Sequence, residues 1–492
     1  MKLISLMIYL CACLIDFTVG LESNKTHNLE KEVRGCRLEK EVKMEDLMSM
    51  TTEFGGKNMF TVDRRSGLES YNDTGKFILE FLSSLNQYYD IYQVPYEGYG
   101  FWSNNNYLQY AQKKLRLFPY FYSLMGDRCP YVNKLEIIDS QGCIPEEFDK
   151  FPGNTSVVVQ DGGCDINKKT ALACYYGATS LLVNSTNTFI MESHVNHQRF
   201  HLLHDSTFQP FKNDQKMHTC LGIVFPSFKI RSKDLDQLMR ENTNSTVSGE
   251  LIMSTLVFAS YFTNIFAVSK SGNSSNVVLA GANYDSFANS VGMNDNASGV
   301  IALLNIAKYL TKFQLNNKVS FAFWGSKESY PQGHSVPMSD DMQDNVKMYL
   351  DYDTIGSPNY VPYVYVPTQM EPSFYEMSIN KQFMKENHIS ATHADFFSKN
   401  NITWKPFYEM ELDRSHFRSI YNVPIGGLTS GSQKVKSGDM SLSDSTDDPC
   451  RHLPCDTDIN SEALFMNTRA AAFAIGTYAR NLTGFENKEP KE

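Results

Sequence analysis

No Lys/Arg-rich run occurs anywhere in the 492 residues, and acids outnumber bases by 55 to 45, a formal net charge of −10. A nucleic acid or an anionic membrane needs a basic footprint, so neither is expected as the main partner. No fixed period recurs, which excludes collagen, coiled-coil and repeat architectures. Gly-x-Ser-x-Gly is missing, leaving serine-hydrolase chemistry without support, and no glycine loop of the phosphate-cradling kind is present. Beyond residue 20, no stretch approaches the roughly twenty uninterrupted apolar residues of a membrane span. What the chain does have is 42% apolar and 13% aromatic residues. That is enough for large cores and rules out wholesale disorder. At about 150 residues per domain, two or three domains are expected.

Residues 1–20 pair Lys2 with an apolar run from Leu3 to Ile15 and close on small residues, Thr18-Val19-Gly20. This is the layout of a secretory signal peptide. The mature chain is therefore expected in a secreted, vacuolar or endolysosomal setting, with no membrane span once the signal is removed. The polar tail 486–492 offers no lipid-anchor signal. Eight cysteines remain after the signal: Cys36, Cys129, Cys143, Cys164, Cys174, Cys220, Cys450 and Cys455. An even number in an exported chain points to disulfides, with connectivity left open except that Cys450 and Cys455 can staple one local loop. Sequons at Asn24, Asn72, Asn154, Asn184, Asn244, Asn273, Asn296, Asn401 and Asn481 fit a glycosylated export product.

Three textures divide the chain. Helical periodicity marks residues 40–85. Between about 110 and 250, short apolar runs such as Ser156–Val159, Ala178–Val183 and Leu221–Phe225 alternate with Gly, Asn and Pro, as in a small β-rich domain. From about 260 the order becomes strand (Asn276–Ala280), helix (Ser298–Phe313), strand (Lys318–Trp324), strand (Lys347–Leu350). Val300, Leu303, Leu304, Ala307 and Leu310 share one helix face. That alternation predicts an α/β fold, a mixed central β-sheet flanked by helices. Candidate chemistry lies just past the strand ends, where open α/β sheets bind ligands. Asn283 and Asp285 follow the first strand, Glu328 the second and Asp353 the third; Asp295 opens the helix and His452 stands between Cys450 and Cys455. Clustered carboxylates repel unless a cation intervenes, and carboxylates with imidazole suit zinc or a neighbouring transition metal. His194, His197, His201 and His204 form a separate group, either a metal-binding helix face or a histidine-rich loop.

The segments Gly281–Ser286, Gly292–Gly299, Phe323–Glu328, Asp351–Pro358 and Asp448–His452, in that order, resemble the aminopeptidase Y-like family of two-zinc exopeptidases. Gly162–Ala173 and Tyr176–Val183 resemble the protease-associated domain inserted in such proteins. With the signal peptide at 1–20 and the polar tail at 486–492, the resemblance implies peptidase segments at 21–109 and 251–485 and an insert at 110–250. It implies that Asp295 bridges two metals, Glu328 and His452 complete one site, and Asp353 belongs to the other. The remaining ligand is a histidine in the family, with Asp285 orienting it, but this chain has Asn283. The general base is a glutamate in the family, but this chain has Lys327. Asp413–Phe417 also departs, with His416 where the family tends to Ser-Asp.

An amide oxygen is a poorer zinc ligand than imidazole, and an ammonium cannot accept a proton. The expected function is thus an exported peptide hydrolase whose two-zinc site is degraded. One zinc is expected to be held tightly and a second poorly, with Lys327 standing in for the missing charge. Peptides or protein N-termini are the expected partners, with a protein docking through the insert as a further option. The alternatives are an active zinc aminopeptidase with an atypical site, or a scaffold that binds peptides or proteins in the same crevice.

Overall fold

Long apolar runs after residue 260 form the strands of a sheet buried on both faces, with Val278 and Ala280 in one core and Val277 and Leu279 in another. The computed structural model describes residues 32–56, 64–65, 68–103, 107–110, 113–119, 131–164, 166–185, 210–211, 213–222, 227–241, 247–252, 255–287, 290–328, 344–367, 376–407, 417–418, 421–431 and 447–485. Residues 1–20, the tail 486–492, Cys129, Asn24, Asn244, the four-histidine group and His416 lie outside them. Contacts divide the chain into two compact units, one from Met1–Gly98 with Ser260–Glu492 and the other Tyr99–Ala259.

Helices α1 (Gly35–Glu41), α2 (Met44–Gly56) and α3 (Glu69–Ser83) precede β1 (Tyr89–Ser103). The second unit then carries β2 (Tyr107–Tyr110), β3 (Lys113–Pro119), β4 (Tyr131–Ile137), β5 (Ser156–Gln160), α4 (Ile166–Tyr175), β6 (Ser180–Ser185), α5 (Gln215–Gly222), β7 (Ser227–Arg231), α6 (Ser232–Glu241) and β8 (Val247–Ile252). Its strands close in the order β2-β3-β7-β6-β5-β4-β8. Strand alternation explains two cores: Val157, Val159, Leu181 and Val183 face α4, while Val158, Leu182, Phe228 and Ile230 face the other way. Disulfides Cys143–Cys164 and Cys174–Cys220 staple this unit. The apolar run expected from Leu221 departs from a strand at its start. Leu221 and Gly222 end α5, whose Met217 and Cys220 are buried one turn apart.

The remaining elements are β9 (Thr255–Ser269), β10 (Asn273–Asn283), α7 (Ser298–Leu310), β11 (Asn317–Trp324), β12 (Val346–Tyr352), β13 (Tyr363–Tyr365), α8 (Glu376–Lys399), β14 (Lys405–Phe407), β15 (Ile425–Thr429) and α9 (Ser461–Arg480). An eight-stranded sheet runs β1-β9-β11-β10-β12-β15-β13-β14. Its centre, β11-β10-β12-β15, is parallel, and β9 and β13 run against their neighbours β11 and β15. This is the mixed sheet expected from the sequence. The structure differs at α7, which is buried on nearly every side rather than along one stripe, because α2 and α9 cover it as well as the sheet. It also stops at Leu310, where Lys312 and Phe313 donate back only three residues, to Tyr309 and Leu310. Helices α1 and α9 cross closely because Gly35 and Gly476 meet; a Cβ on Gly35 would lie 2.2 Å from the Phe473 carbonyl oxygen.

His393, fully buried on α8, donates Nδ1–H to the Ile389 carbonyl at 3.0 Å, and its Nε2 lies 3.4 Å from the Tyr352 hydroxyl. Burial pushes its pKa down to about 4, against which the Ile389 bond works only in part. Between that value and the ordinary 6.5, the unfolded chain binds more protons than the folded one, so this group's contribution is full above the unfolded value and fades as pH falls. Lowering pH from 7 to 4 should therefore cost wild type about 3 kcal/mol more than His393→Gln. Urea unfolding of both proteins across that range checks it; parallel profiles would contradict the assignment.

Candidate active site

Because β11, β10, β12 and β15 are parallel, their C-terminal ends open on one edge, and the register sets Asn283 beside Trp324 and Gly281 beside Asp351. The side chains named from the sequence gather there. Asp295, Glu328 and His452 bring ligand atoms within 4.8 Å of one another, the only such group among the described residues. His452 Nε2 lies 3.0 Å from Asp295 Oδ2 and 3.5 Å from Glu328 Oε2. Its ring stacks on Phe287, with centroids 4.6 Å apart. The loop that presents it is closed by the Cys450–Cys455 disulfide, and His452 itself has φ +61°.

Asp295 is placed by groups the sequence reading did not single out. Asp456 accepts the backbone N–H groups of Asn294 at 2.8 Å and Asp295 at 3.0 Å, and Asn294 donates its amide to Asp448 at 2.7 Å. Arg64, fully buried, donates to the carbonyls of Tyr284, Val291 and Gly292, tying the loop after β10 to the turn before α7. That turn needs a glycine: Gly292 has φ +69°, and a Cβ would fall 2.5 Å from the Asp295 carbonyl oxygen.

Two protein cations enter the carboxylate cluster. Lys327 Nζ sits 2.6 Å from Glu328 Oε1 and 2.7 Å from Asp353 Oδ2, with 9% of its side chain exposed. It points into the cluster, pairing with Glu328 and Asp353, and its charge also acts on Asp295. Arg451 Nε lies 3.0 Å from Asp295 Oδ2. Burial alone would push the Asp295 carboxyl up, but Arg451, then Lys327 and His452, hold it well below the usual carboxylate range. Sequence reasoning missed Arg451, whose contact with Asp295 no local signal marks.

Asn283 has other partners. Its oxygen accepts Asn296 Nδ2 at 3.1 Å and its amide reaches Asp285 Oδ1 at 3.3 Å. Asp285 receives the Asn283 amide and, at 2.8 Å, the backbone N–H of Glu328. The Asn296 sequon lies in the core. That side chain is fully buried and donates to Asn283 and to the Tyr352 carbonyl, leaving no room for a glycan. Asn72, Asn154, Asn273, Asn401 and Asn481 are exposed, whereas Asn184 is half-buried and donates to Gln160 at 2.9 Å.

The structure thus combines a mixed sheet with carboxylates and an imidazole at its parallel strand ends, an α/β arrangement the comparisons can place. Residues 264–474 match the family model Peptidase family M28. Along nearly its whole length the chain is similar to aminopeptidase Y of Saccharomyces cerevisiae, 25% identical and covering 94% of this chain and 84% of the relative. Leucine aminopeptidase 2 of Trichophyton rubrum is 36% identical over 236 residues, 46% of each chain. Among solved structures, an aminopeptidase from Aneurinibacillus sp. strain AM-1 superposes with a TM-score of 0.64 at 16% identity, over 90% of this chain and 95% of that one. The zinc aminopeptidase of Bacillus subtilis gives 0.62 at 15%, over 88% and 94%. These two share the fold. Residues 264–474 of this chain thus resemble the M28 family, and the curated relatives named here are aminopeptidases.

Proposed function

We propose that this chain is an exported protein on the M28 aminopeptidase scaffold whose two-metal site has been reduced to at most one metal, with peptide hydrolysis severely impaired. One observation carries the reading: the Lys327 ammonium lies within 2.7 Å of both Glu328 and Asp353. Zinc fits the set Asp295, Glu328 and His452, a nitrogen and two carboxylates. Asp295 Oδ1 in particular is buried with no hydrogen-bond partner among the described residues. A second ion does not fit. The Asn283 oxygen is taken by Asn296, and Asp353 is paired with Lys327. Zinc, when bound, supplies a Lewis acid that polarises a carbonyl or acidifies water. Hydrolysis also needs a proton acceptor, and Lys327 at that position is a donor. The chain's own residues retain the positioning role: Asp285 holds the Glu328 backbone, and the disulfide loop holds His452.

Peptides or protein N-termini are the substrate class this crevice would take. A second reading, a scaffold that holds peptides without cleaving them, is favoured by the same ion pairs, which balance the carboxylates without a metal. Three disulfides, with Cys36 also bonded, support an oxidising lumen or secretion. Among the described residues, no helix is long and apolar enough to cross a membrane. A protease-associated role for residues 110–250, with a partner docking there, belongs to the same proposal.

Fluorogenic amino-acyl amides assayed with zinc, cobalt or manganese provide the test. Turnover should stay far below the approximately 1 s⁻¹ at the lower end of ordinary enzymes. Wild-type turnover at or above that rate would instead make the chain an active aminopeptidase with an atypical site.

A further inference from the structure

Arg451 and His452 are neighbours in the loop closed by Cys450 and Cys455, yet their side chains converge on one atom. Arg451 Nε and His452 Nε2 each lie 3.0 Å from Asp295 Oδ2. We propose that Arg451 is a resident cation that competes with a divalent metal for Asp295 and sets how tightly Asp295, Glu328 and His452 can hold zinc. The inference rests on the one-metal reading above and goes beyond it, since it concerns a residue outside the ligand set.

Asp295 cannot simply turn to a new partner. Asp456 holds its backbone N–H at 3.0 Å, and Arg64 holds the preceding turn through the Val291 and Gly292 carbonyls. The carboxylate is 1% exposed, so little water screens what approaches it. A guanidinium keeps its charge at every accessible pH and presents its donors in a fixed fork. Zinc entering the three-ligand set must draw on the same carboxylate and meets a like charge at contact distance. Zinc drawn to Oδ2 displaces Arg451, and zinc drawn to the unpartnered Oδ1 binds beside its charge, so the affinity measured for wild type contains the cost of that cation either way. The disulfide keeps the loop short, so the arginine moves by its side chain while His452 remains in place.

Zinc titration of the purified full chain, stripped with a chelator and read by calorimetry or a competing dye, tests this. Arg451→Gln should bind zinc at least about 10-fold more tightly than wild type, equivalent to about 1.4 kcal/mol. Arg451→Lys, which keeps the charge, should stay close to wild type. A glutamine variant that binds zinc no more tightly overturns the proposal, as does absence of zinc binding from both proteins. A second measurement needs no variant at position 451 to fold well. The Arg451 Nε–H resonance of nitrogen-15-labelled wild type should shift or vanish as zinc saturates the site, and an unmoved resonance at saturation overturns the competition. Failure of the underlying reading looks different: two tightly held zincs or ordinary turnover in wild type, whatever Arg451 does.

Discussion

Lys327→Glu combined with Asn283→His is expected to raise aminopeptidase activity at least about 10²-fold over wild type, the contribution typical of a positioned general base. The glutamate removes the ammonium that lies 2.7 Å from Asp353 and restores a proton acceptor next to Glu328. The histidine replaces an amide whose nitrogen lies 3.3 Å from Asp285 Oδ1, so a ring N–H at 283 finds its orienting carboxylate already in place. Asn296 loses one acceptor but keeps the Tyr352 carbonyl at 3.0 Å. Neither single change suffices. Lys327→Glu alone lacks the nitrogen ligand, and Asn283→His alone leaves Asp353 paired with the lysine. The two effects should therefore be strongly non-additive. Initial rates on a leucyl fluorogenic amide, with zinc added, separate the four proteins. A folded double variant that holds two metals and remains inert would show that other parts of the crevice have changed too. Asp413–Phe417, where the family resemblance also breaks, is the first place to look.

Lys327→Met is expected to destabilise the metal-free protein by about 3–5 kcal/mol, the usual cost of removing one partner from a buried ion pair. Glu328 and Asp353 are 8% and 3% exposed, and both lose the same cation. Added zinc should recover part of the loss, because it binds the folded state and not the unfolded chain. Urea unfolding at neutral pH with and without a chelator reads both effects. A variant within about 0.5 kcal/mol of wild type in chelator would mean that the lysine is a solvated bystander.

The parts legible in the sequence were those with local signals. Strands β10, β11 and β12 and helix α7 announce themselves through apolar runs and helical spacing. The carboxylates just beyond them follow from where parallel strands end. Cys450 and Cys455 are near enough in sequence to be paired by spacing alone, and the structure pairs them. Other features depend on contacts that no local pattern encodes. Arg64 reaches carbonyls more than 200 residues away, at Tyr284 and Gly292, so its role cannot be read from the residues around it. Arg451 in isolation looks like a solvated charge in a polar loop; only the fold turns it onto Asp295. Lys327 was recognisable as a departure, but its pairing with the neighbouring Glu328 as well as Asp353 is set by how the turn after β11 packs. Asn296 shows the converse, a sequon complete in the sequence whose side chain lies in the core.

Zinc content and position in the wild-type protein test the central claim most directly. After dialysis against zinc-free buffer, elemental analysis should give at most about one zinc per chain. Anomalous diffraction at the zinc edge should place that ion among Asp295, Glu328 and His452, with Lys327 still between Glu328 and Asp353. Two firmly held zincs, one of them between Asn283 and Asp353 with Lys327 displaced, would contradict the account.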